Sequence, residues 1–312
     1  MTFHVSDPFE ELPAEIRIQV LASMQCQSMI LRLIEASPIM LQQYLLYKKP
    51  IIRQVLATEF DEDLVQDAMA VILFPLLRDS IQESLAMGPS EAIHSHVWAW
   101  TNFQLPDPLK DDNDHLIDEL NKLHRKVIAL AEDYIAKATS TLPSWAYVCV
   151  PETRQSSVEG HLMFKGVEVA PRFNFGKLTT LEKRRFLKAF LTYELLCKAS
   201  IIRFIPIILS QRKVSYAEFE TVACIHEYFC SLYGALFAQC TGLPSVSTER
   251  RFPDSFCFDA NKHTPKLDFN PSTPFRNKTD YSYDYPAYFS TLGLGYLTRL
   301  LQYDMANPAA RE

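Results

Sequence analysis

Apolar and polar residues follow a helical spacing over most of the chain. The clearest example begins at Asp114, after which apolar residues recur every three or four positions: Leu116, Leu120, Leu123, Val127, Leu130, Tyr134 and Ile135. Such spacing places the apolar side chains on one face of a helix, where they can pack against other helices. We therefore predict a mainly α-helical fold whose longest helix starts at Asp114.

Capping signals mark further helices. Thr179 with Glu182 and Ser215 with Glu218 are capping boxes, in which each side chain satisfies a free backbone N–H at a helix start. Gly242 predicts that the helix after Ser215 ends near residue 241, because glycine readily takes the left-handed conformation that stops a helix. Pro, Gly and capping residues predict the other helices at 50–56, 61–75, 76–86, 90–103, 186–202 and 287–303.

The exception to the helical spacing lies between residues 144 and 175. There the apolar stretches 145–150 and 161–164 are short and are flanked by Pro, Gly and Ser. This composition favours a loop region with at most a short β-hairpin. No repeat of fixed period occurs in the chain, so neither a propeller nor a leucine-rich solenoid is expected.

The N-terminal part of the chain predicts three short helices. Pro13 suits the first position of a helix, and Glu15 complements the positive end of the helix dipole. The apolar residues of this first helix are Ile16, Ile18, Val20, Leu21 and Met24. They cover a wider arc than one packing seam requires, so one side can pack internally while the other is available to a partner. Three helices this short also rarely bury enough surface to be stable alone.

The second and third helices are predicted at residues 29–34 and 39–47. Ser28 is a candidate cap for the second helix. Ser37 followed by Pro38 is the expected N-cap and first-turn pair of the third. A module of three helices is therefore expected at residues 7–48, followed by a larger all-helical domain at residues 49–306.

The order of residue types in this module resembles an F-box. Leu12-Pro13-x-Glu15-Ile16 is followed by Val20-Leu21 and then by Leu31-x-Leu33-Ile34-x-Ala36-Ser37-Pro38. This order is similar to the F-box-like segment that begins many filamentous-fungal proteins. The tryptophan common near the end of the third F-box helix is absent, and Tyr44 and Tyr47 occupy that region.

The resemblance implies a substrate-receptor subunit of an SCF-type cullin ubiquitin ligase. In that role the N-terminal helices bind a Skp-type adaptor, which connects the chain to the cullin scaffold, and the larger domain binds a target protein. The residues that the resemblance assigns to adaptor binding are Leu12, Pro13, Ile16, Val20, Leu21, Leu31, Ile34 and Pro38. The alternative is a free-standing helical scaffold in which the same helices belong to the core and no ligase is bound.

Target recognition has one candidate segment. Tyr281, Tyr283 and Tyr285 alternate with Ser282 and Asp284, and an extended run of this kind points every second ring to one side. Three tyrosine hydroxyls could then face a target protein. The alternative is that these rings anchor the tail to the helical body.

Composition and charge narrow the function classes. The chain has 312 residues, 48% of them hydrophobic, which is enough to bury a large core. Its net charge of −6 argues against a general affinity for nucleic acid or anionic membranes. Lys183, Arg184 and Arg185 form the only tight basic cluster, which we interpret as a solvated helix face. The first residues do not resemble a signal peptide, so a cytoplasmic or nuclear location is expected.

No motif in the sequence predicts a catalytic, cofactor or metal site. His226-Glu227 resembles the start of a zinc-hydrolase helix, but Cys230 stands where the second histidine would be required. The seven cysteines have no paired spacing and are expected to be free thiols. We therefore expect a binding protein without chemistry of its own, and an enzyme of unrecognised type is a more distant alternative.

Overall fold

The computed structural model describes residues 7–24, 27–75, 89–111, 113–141, 143–151, 160–164, 167–201, 215–240 and 289–302. In this part of the chain the fold is mainly α-helical, with one two-stranded antiparallel hairpin. The predicted fold class is therefore confirmed. The predicted helix at 76–86 lies outside the described residues.

The N-terminal helices are α1 (Ala14–Ser23), α2 (Gln27–Ala36), α3 (Pro38–Leu46), α4 (Lys48–Glu59) and α5 (Glu62–Ile72). They are followed by α6 (Pro89–Thr101), α7 (Asp114–Ala138), the short α8 (Pro143–Ala146), β1 (His161–Phe164) and β2 (Val167–Pro171). A 3-10 turn (Phe175–Lys177) leads to α9 (Thr180–Ile201), and α10 (Tyr216–Cys240) and α11 (Gly293–Gln302) complete the described chain.

Local capping chemistry sets many of these helix ends. Asp61 accepts the backbone N–H of Leu64 at 3.0 Å, as its position before α5 predicted. Both capping boxes form reciprocally: Glu182 accepts the N–H of Thr179, and Glu218 accepts the N–H of Ser215. These bonds involve residues three apart in sequence, which is why the sequence predicts them well.

Some boundaries differ from the prediction. Helix α4 begins at Lys48, two residues before Pro50, because a proline in the first helical turn gives up no intrahelical hydrogen bond. Residues 145–150 form no strand, and the hairpin pairs β1 with β2 instead. Helix α7, in contrast, begins at Asp114 as predicted, and Asn113 caps it by accepting the N–H of Leu116 at 3.2 Å.

Two separate hydrophobic cores meet at α4. The smaller core lies among α1 to α4 and consists of Leu21, Ile30, Met40, Tyr44, Ile51 and Val55. The larger core extends through α4 to α7 and α9 to α11. Ile51 and Val55 of α4 belong to the smaller core, whereas Ile52 and Leu56 belong to the larger one. Helix α4 is therefore shared by the N-terminal module and the body, and the predicted boundary at residue 48 falls at its first residue.

A buried ionic network fixes the end of α4 to the body. Glu59 Oε2 lies 2.5 Å from His124 Nε2 of α7, and Lys183 Nζ of α9 donates to Glu59 Oε1 at 3.4 Å. Burial alone would raise the pKa of Glu59, but the contacts with His124 and Lys183 outweigh it and hold that pKa below its ordinary value. The carboxylate therefore joins three helices in its charged form.

The basic cluster on α9 belongs to the same region. Lys183 is mostly buried against Glu59, and Arg184 pairs with Asp61 and Asp63 at the start of α5. The interpretation of this cluster as a solvated face is therefore wrong for Lys183, whereas the side chain of Arg184 remains 38% exposed in its ion pairs. The acidic partners lie more than 120 residues away in sequence, so the spacing of charges within α9 gave no indication of them.

Replacing Glu59 with alanine is expected to lower the free energy of unfolding by about 3 kcal/mol, because it leaves His124 and Lys183 without their buried partner. Urea denaturation monitored by circular dichroism measures this loss. Glu119→Ala is the matched control, since it removes a carboxylate from a more exposed pair with Lys122 on α7 and should cost much less. Equal losses in the two variants would contradict the proposed role of Glu59.

The last described helix is held by a second buried carboxyl group. Glu194 of α9 accepts the backbone N–H of Leu294 at 2.6 Å, which satisfies a free donor at the start of α11. Gly293 has φ +77°, and a Cβ at this position would lie 2.4 Å from Glu194 Oε2. Glycine is therefore required here both for its backbone conformation and for the space its missing side chain leaves.

Gly293→Ala should destabilise the protein strongly, because alanine is strained at this φ and collides with Glu194. Gly295 lies two residues further within α11, with nothing within 4 Å of its Cβ position. Gly295→Ala should therefore be neutral or stabilising by about 0.5–1 kcal/mol. Thermal melting of the two variants measures the difference, and a melting temperature for Gly293→Ala at or above wild type would contradict the account.

Candidate docking surface on the N-terminal helices

The N-terminal module is closed by a hydrogen-bonded turn around Ser37. Its hydroxyl accepts the N–H of Met40 at 3.1 Å, which is the predicted cap of α3, and donates to Asp7 Oδ2 at 2.6 Å. Asp7 Oδ1 in turn accepts the N–H of Phe9 at 3.0 Å. The bond from Ser37 lowers the pKa of Asp7, with a further contribution from the N–H of Phe9. This turn attaches the segment before α1 to the start of α3.

Helix α3 exposes an unusually apolar outer face. Met40 and Tyr44 are buried in the smaller core. Leu45 and Leu46 on the other side are 65% and 69% exposed, and Leu41 and Tyr47 are also exposed. Leu41 and Leu45 lie one turn apart and therefore share a face. Burial of such side chains stabilises a complex, so exposure on this scale indicates a partner surface.

Helices α1 and α2 contribute to the exposed apolar residues as well. Ile16 of α1 is 41% exposed, and Met29 of α2 is exposed. Leu12 and Leu31 are partly exposed and do not belong to the smaller core. We use the term docking residues for the exposed set, which consists of Ile16, Met29, Leu41, Leu45, Leu46 and Tyr47.

Of the eight residues that the F-box resemblance assigns to adaptor binding, seven are exposed or partly buried and one, Leu21, is fully buried. Ile16, Pro13 and Pro38 are exposed. Leu12, Val20, Leu31 and Ile34 are partly buried, and Val20 and Ile34 pack against the smaller core with the remainder of their side chains. These seven residues all keep some surface that a partner can contact.

Leu21 requires a correction. It has 0% exposed surface and lies in the smaller core with Met40 and Ile51. It therefore cannot contact an adaptor in this conformation, and its role is to hold α1 against α3 and α4. The apolar arc predicted on α1 is wide and does not indicate which side faces inward, and Leu21 lies on the inward side.

Sequence reasoning missed the docking residues of α3 and Met29 of α2. A signal was present, because the segment Ile39-Met40-Leu41 and Tyr44-Leu45-Leu46-Tyr47 is apolar on nearly every side of a short helix. A helix that is apolar all round requires burial all round. Helix α3 buries Met40 and Tyr44, and its apolar side chains on the other side remain exposed in the described part of the chain.

The exposed apolar side chains are concentrated in this module. Of the thirteen strongly exposed large apolar residues in the described chain, six are the docking residues, although residues 7–48 form a small part of it. The others are scattered singly or in pairs over the body: Leu73, Trp98, Phe103, Met163, Val167, Leu181 and Tyr216. Single exposed apolar residues are ordinary on a protein surface, whereas a concentration of them is not.

Exposed acidic side chains lie around the start of α1. Glu10, Glu11 and Glu15 are exposed and flank Leu12 and Pro13 at the start of α1. An apolar centre with charged residues at its edge is the usual anatomy of a protein interface. The local charge would favour a partner with basic residues opposite the start of α1.

The predicted target-binding residues Tyr281, Tyr283 and Tyr285 lie outside the described residues. The structure therefore tests neither target recognition by these rings nor their anchoring of the tail. Both interpretations stay predictions.

A serine and a histidine meet near the start of α11. Ser290 Oγ lies 3.0 Å from His226 Nε2, and Glu227 Oε1 lies 4.0 Å from His226 Nδ1. A serine nucleophile needs a base at the first distance, but the second is too long for a hydrogen bond that would orient the histidine. Ser290 also has no exposed surface, so a substrate could not reach it in this conformation.

A second polar cluster is fully internal. Lys137 Nζ lies 2.6 Å from Asp133 Oδ2, which also accepts the hydroxyl of Tyr228 at 2.7 Å. All three side chains are buried, which makes this a structural ion pair within α7 that the hydroxyl of Tyr228 connects to α10. Within the described ranges, no group of three or more His, Cys, Asp and Glu side chains is arranged to hold a metal ion.

Comparison with protein-family models, curated proteins and solved structures finds no match to this chain. The F-box resemblance therefore stays a prediction from the residues of the N-terminal module. Among the described helices, none combines the length and the apolar composition that crossing a membrane would require.

Proposed function

We propose that this chain is a substrate-receptor subunit of an SCF-type cullin ubiquitin ligase, and that its N-terminal helices bind a Skp-type adaptor. The observation that carries the proposal is that the docking residues stay exposed although the N-terminal helices already share a core with α4. The cullin is reached through the adaptor. The larger helical domain would bind the target protein.

Two features support this proposal over the free-standing scaffold. The scaffold would require Leu12, Ile16, Val20 and Leu21 to be buried together, yet all but Leu21 retain exposed surface. The shared helix α4 would also transmit the position of the module rigidly to the body, which a receptor needs in order to hold its target at a fixed place relative to the ligase. The proposed role requires no chemistry in this chain.

Replacing Leu12 and Pro13 together with alanine is expected to abolish adaptor binding while the body remains folded. Leu12 supplies apolar contact, and Pro13 fixes the entry of the chain into α1. Each lost anchor costs on the order of 2 kcal/mol, or about 30-fold in Kd. A binding titration with purified Skp-type adaptor measures the loss.

The matched control for this variant is Leu181→Ala with Pro106→Ala, which removes an exposed leucine and an exposed proline from the body. It should bind the adaptor as wild type does. Unchanged binding by the Leu12 and Pro13 variant would mean that the docking surface lies elsewhere.

Leu45→Ser with Leu46→Ser tests the α3 surface that sequence reasoning missed. Both side chains are mostly exposed, so the change should leave the melting temperature nearly unaltered and weaken adaptor binding at least tenfold. Leu181→Ser, at a leucine that is 56% exposed on α9, is the control and should have no effect on binding.

Three outcomes of this test are informative. Weaker binding at unchanged stability supports docking through α3. Unchanged binding restricts the surface to α1 and α2. A change in oligomeric state without any effect on adaptor binding would instead indicate that α3 joins two copies of this chain, which favours the scaffold.

A further inference from the structure

The interface between α9 and α11 contains a buried carboxyl group, that of Glu194. Glu194 is 6% exposed, and its Oε2 accepts the backbone N–H of Leu294 at 2.6 Å. No side chain in the described ranges forms an ion pair with it. Within those ranges the carboxyl group is therefore in direct contact with a helix start rather than with a cation.

The charged and titratable groups that face Glu194 come from four helices. Lys198 lies one turn further along α9, but its Nζ donates to the carbonyl of Val71 on α5 at 2.9 Å. Lys126 on α7, Cys197 on α9 and Tyr233 on α10 also interact electrostatically with the carboxyl. From α11 itself, the backbone N–H of Leu294 faces it. His226 of α10 contacts the same turn through Ser290.

Burial dominates the proton equilibrium of this group. It raises the pKa of Glu194 from its ordinary 4.5 to about 7, although the N–H of Leu294 and the charges of Lys198 and Lys126 act in the opposite direction. When α11 leaves the interface, the carboxyl is hydrated and its pKa returns toward the ordinary value. The docked state therefore binds a proton more tightly than the undocked state.

The direction of the pH dependence follows from this difference. A carboxyl whose pKa is raised in the docked state favours docking fully below pH 4.5, and this contribution is lost as the pH rises from 4.5 to 7. Above about pH 7 the docked carboxyl is ionised as well, and the free energy of docking α11 no longer changes with pH. The steep part of the change thus extends into the neutral range.

We propose that α11 is a pH-sensitive latch, held on the body by the protonated carboxyl of Glu194 and loosened when that carboxyl ionises. Release would uncover Leu294 and Leu297, which are buried in the larger core, together with the apolar surface of α9 that they cover. The larger domain would then present an apolar surface whose availability increases with pH. This inference concerns the body and does not depend on adaptor binding.

Other contacts hold the same turn independently of Glu194. The hydroxyl of Tyr193 donates to the carbonyl of Ser290 at 2.6 Å, and Ser290 Oγ meets His226 Nε2 at 3.0 Å. These bonds explain why loosening would be partial and reversible. They also make His226 the alternative source of any pH dependence, which the experiment must separate from Glu194.

Amide hydrogen exchange of α11 measures the latch in the intact chain. Protection factors for Leu294 to Leu301 should fall about tenfold in wild type between pH 6 and pH 8, as linkage predicts for a pKa of 4.5 undocked and about 7 docked. Amides in the middle of α7 should change far less. Glu194→Gln keeps an acceptor for the N–H of Leu294 without a titrating group, so protection of its α11 should be independent of pH.

Two further measurements complete the test. In His226→Gln the amide protection of α11 should depend on pH as it does in wild type. If protection in this variant no longer changes with pH, the effect belongs to His226 and the proposal is overturned. A carbon-13 titration of the glutamate carboxyls should find one resonance with a midpoint near neutral pH that disappears in Glu194→Gln. An ordinary midpoint for Glu194 would overturn the proposal even if the variant failed to fold.

Discussion

The structure depends on helix α4 having two apolar faces. Ile51 and Val55 complete the core of the N-terminal module, while Ile52 and Leu56 on the other face belong to the core of the body. A helix of this kind cannot be exposed on either side without losing apolar burial, so it holds the two parts of the chain together. Glu59 at its end adds a buried ionic link to α7 and α9.

This shared helix also explains why the docking residues remain exposed. The inner faces of α1 to α3 are occupied by each other and by α4, so the module needs nothing more for its own core. The outer apolar side chains of α3, above all Leu45 and Leu46, then have no partner within the described chain. Burying these side chains against a partner would stabilise the complex, because they are not buried when the chain folds alone. This is the physical basis of the proposed adaptor binding.

The sequence predicted those features that depend on nearby residues. The caps at Ser37 and Asp61 and both capping boxes join residues only three positions apart, and the spacing of apolar residues in α7 reports directly on its buried face. The residues that the family resemblance assigns to adaptor binding include both the exposed Ile16 and the buried Leu21, because a wide apolar arc does not specify which side meets a neighbouring helix.

Features that depend on distant residues were not predictable in this way. The partner of Lys183 is Glu59, and the partner of Leu294 is Glu194, about a hundred residues away. In each case the pairing is determined by how helices pack, which a single sequence does not reveal. The missed docking residues of α3 were visible as excess apolar character, but recognising them as exposed required knowing that α3 packs on only one side.

The most direct test of the account is an amide hydrogen-exchange footprint of the whole chain with and without purified Skp-type adaptor. The account predicts slower exchange in α1, α2 and α3 on adding the adaptor, with little change in α7, α9 and α10. Protection confined to the body, or no protection at a saturating concentration of adaptor, would contradict it.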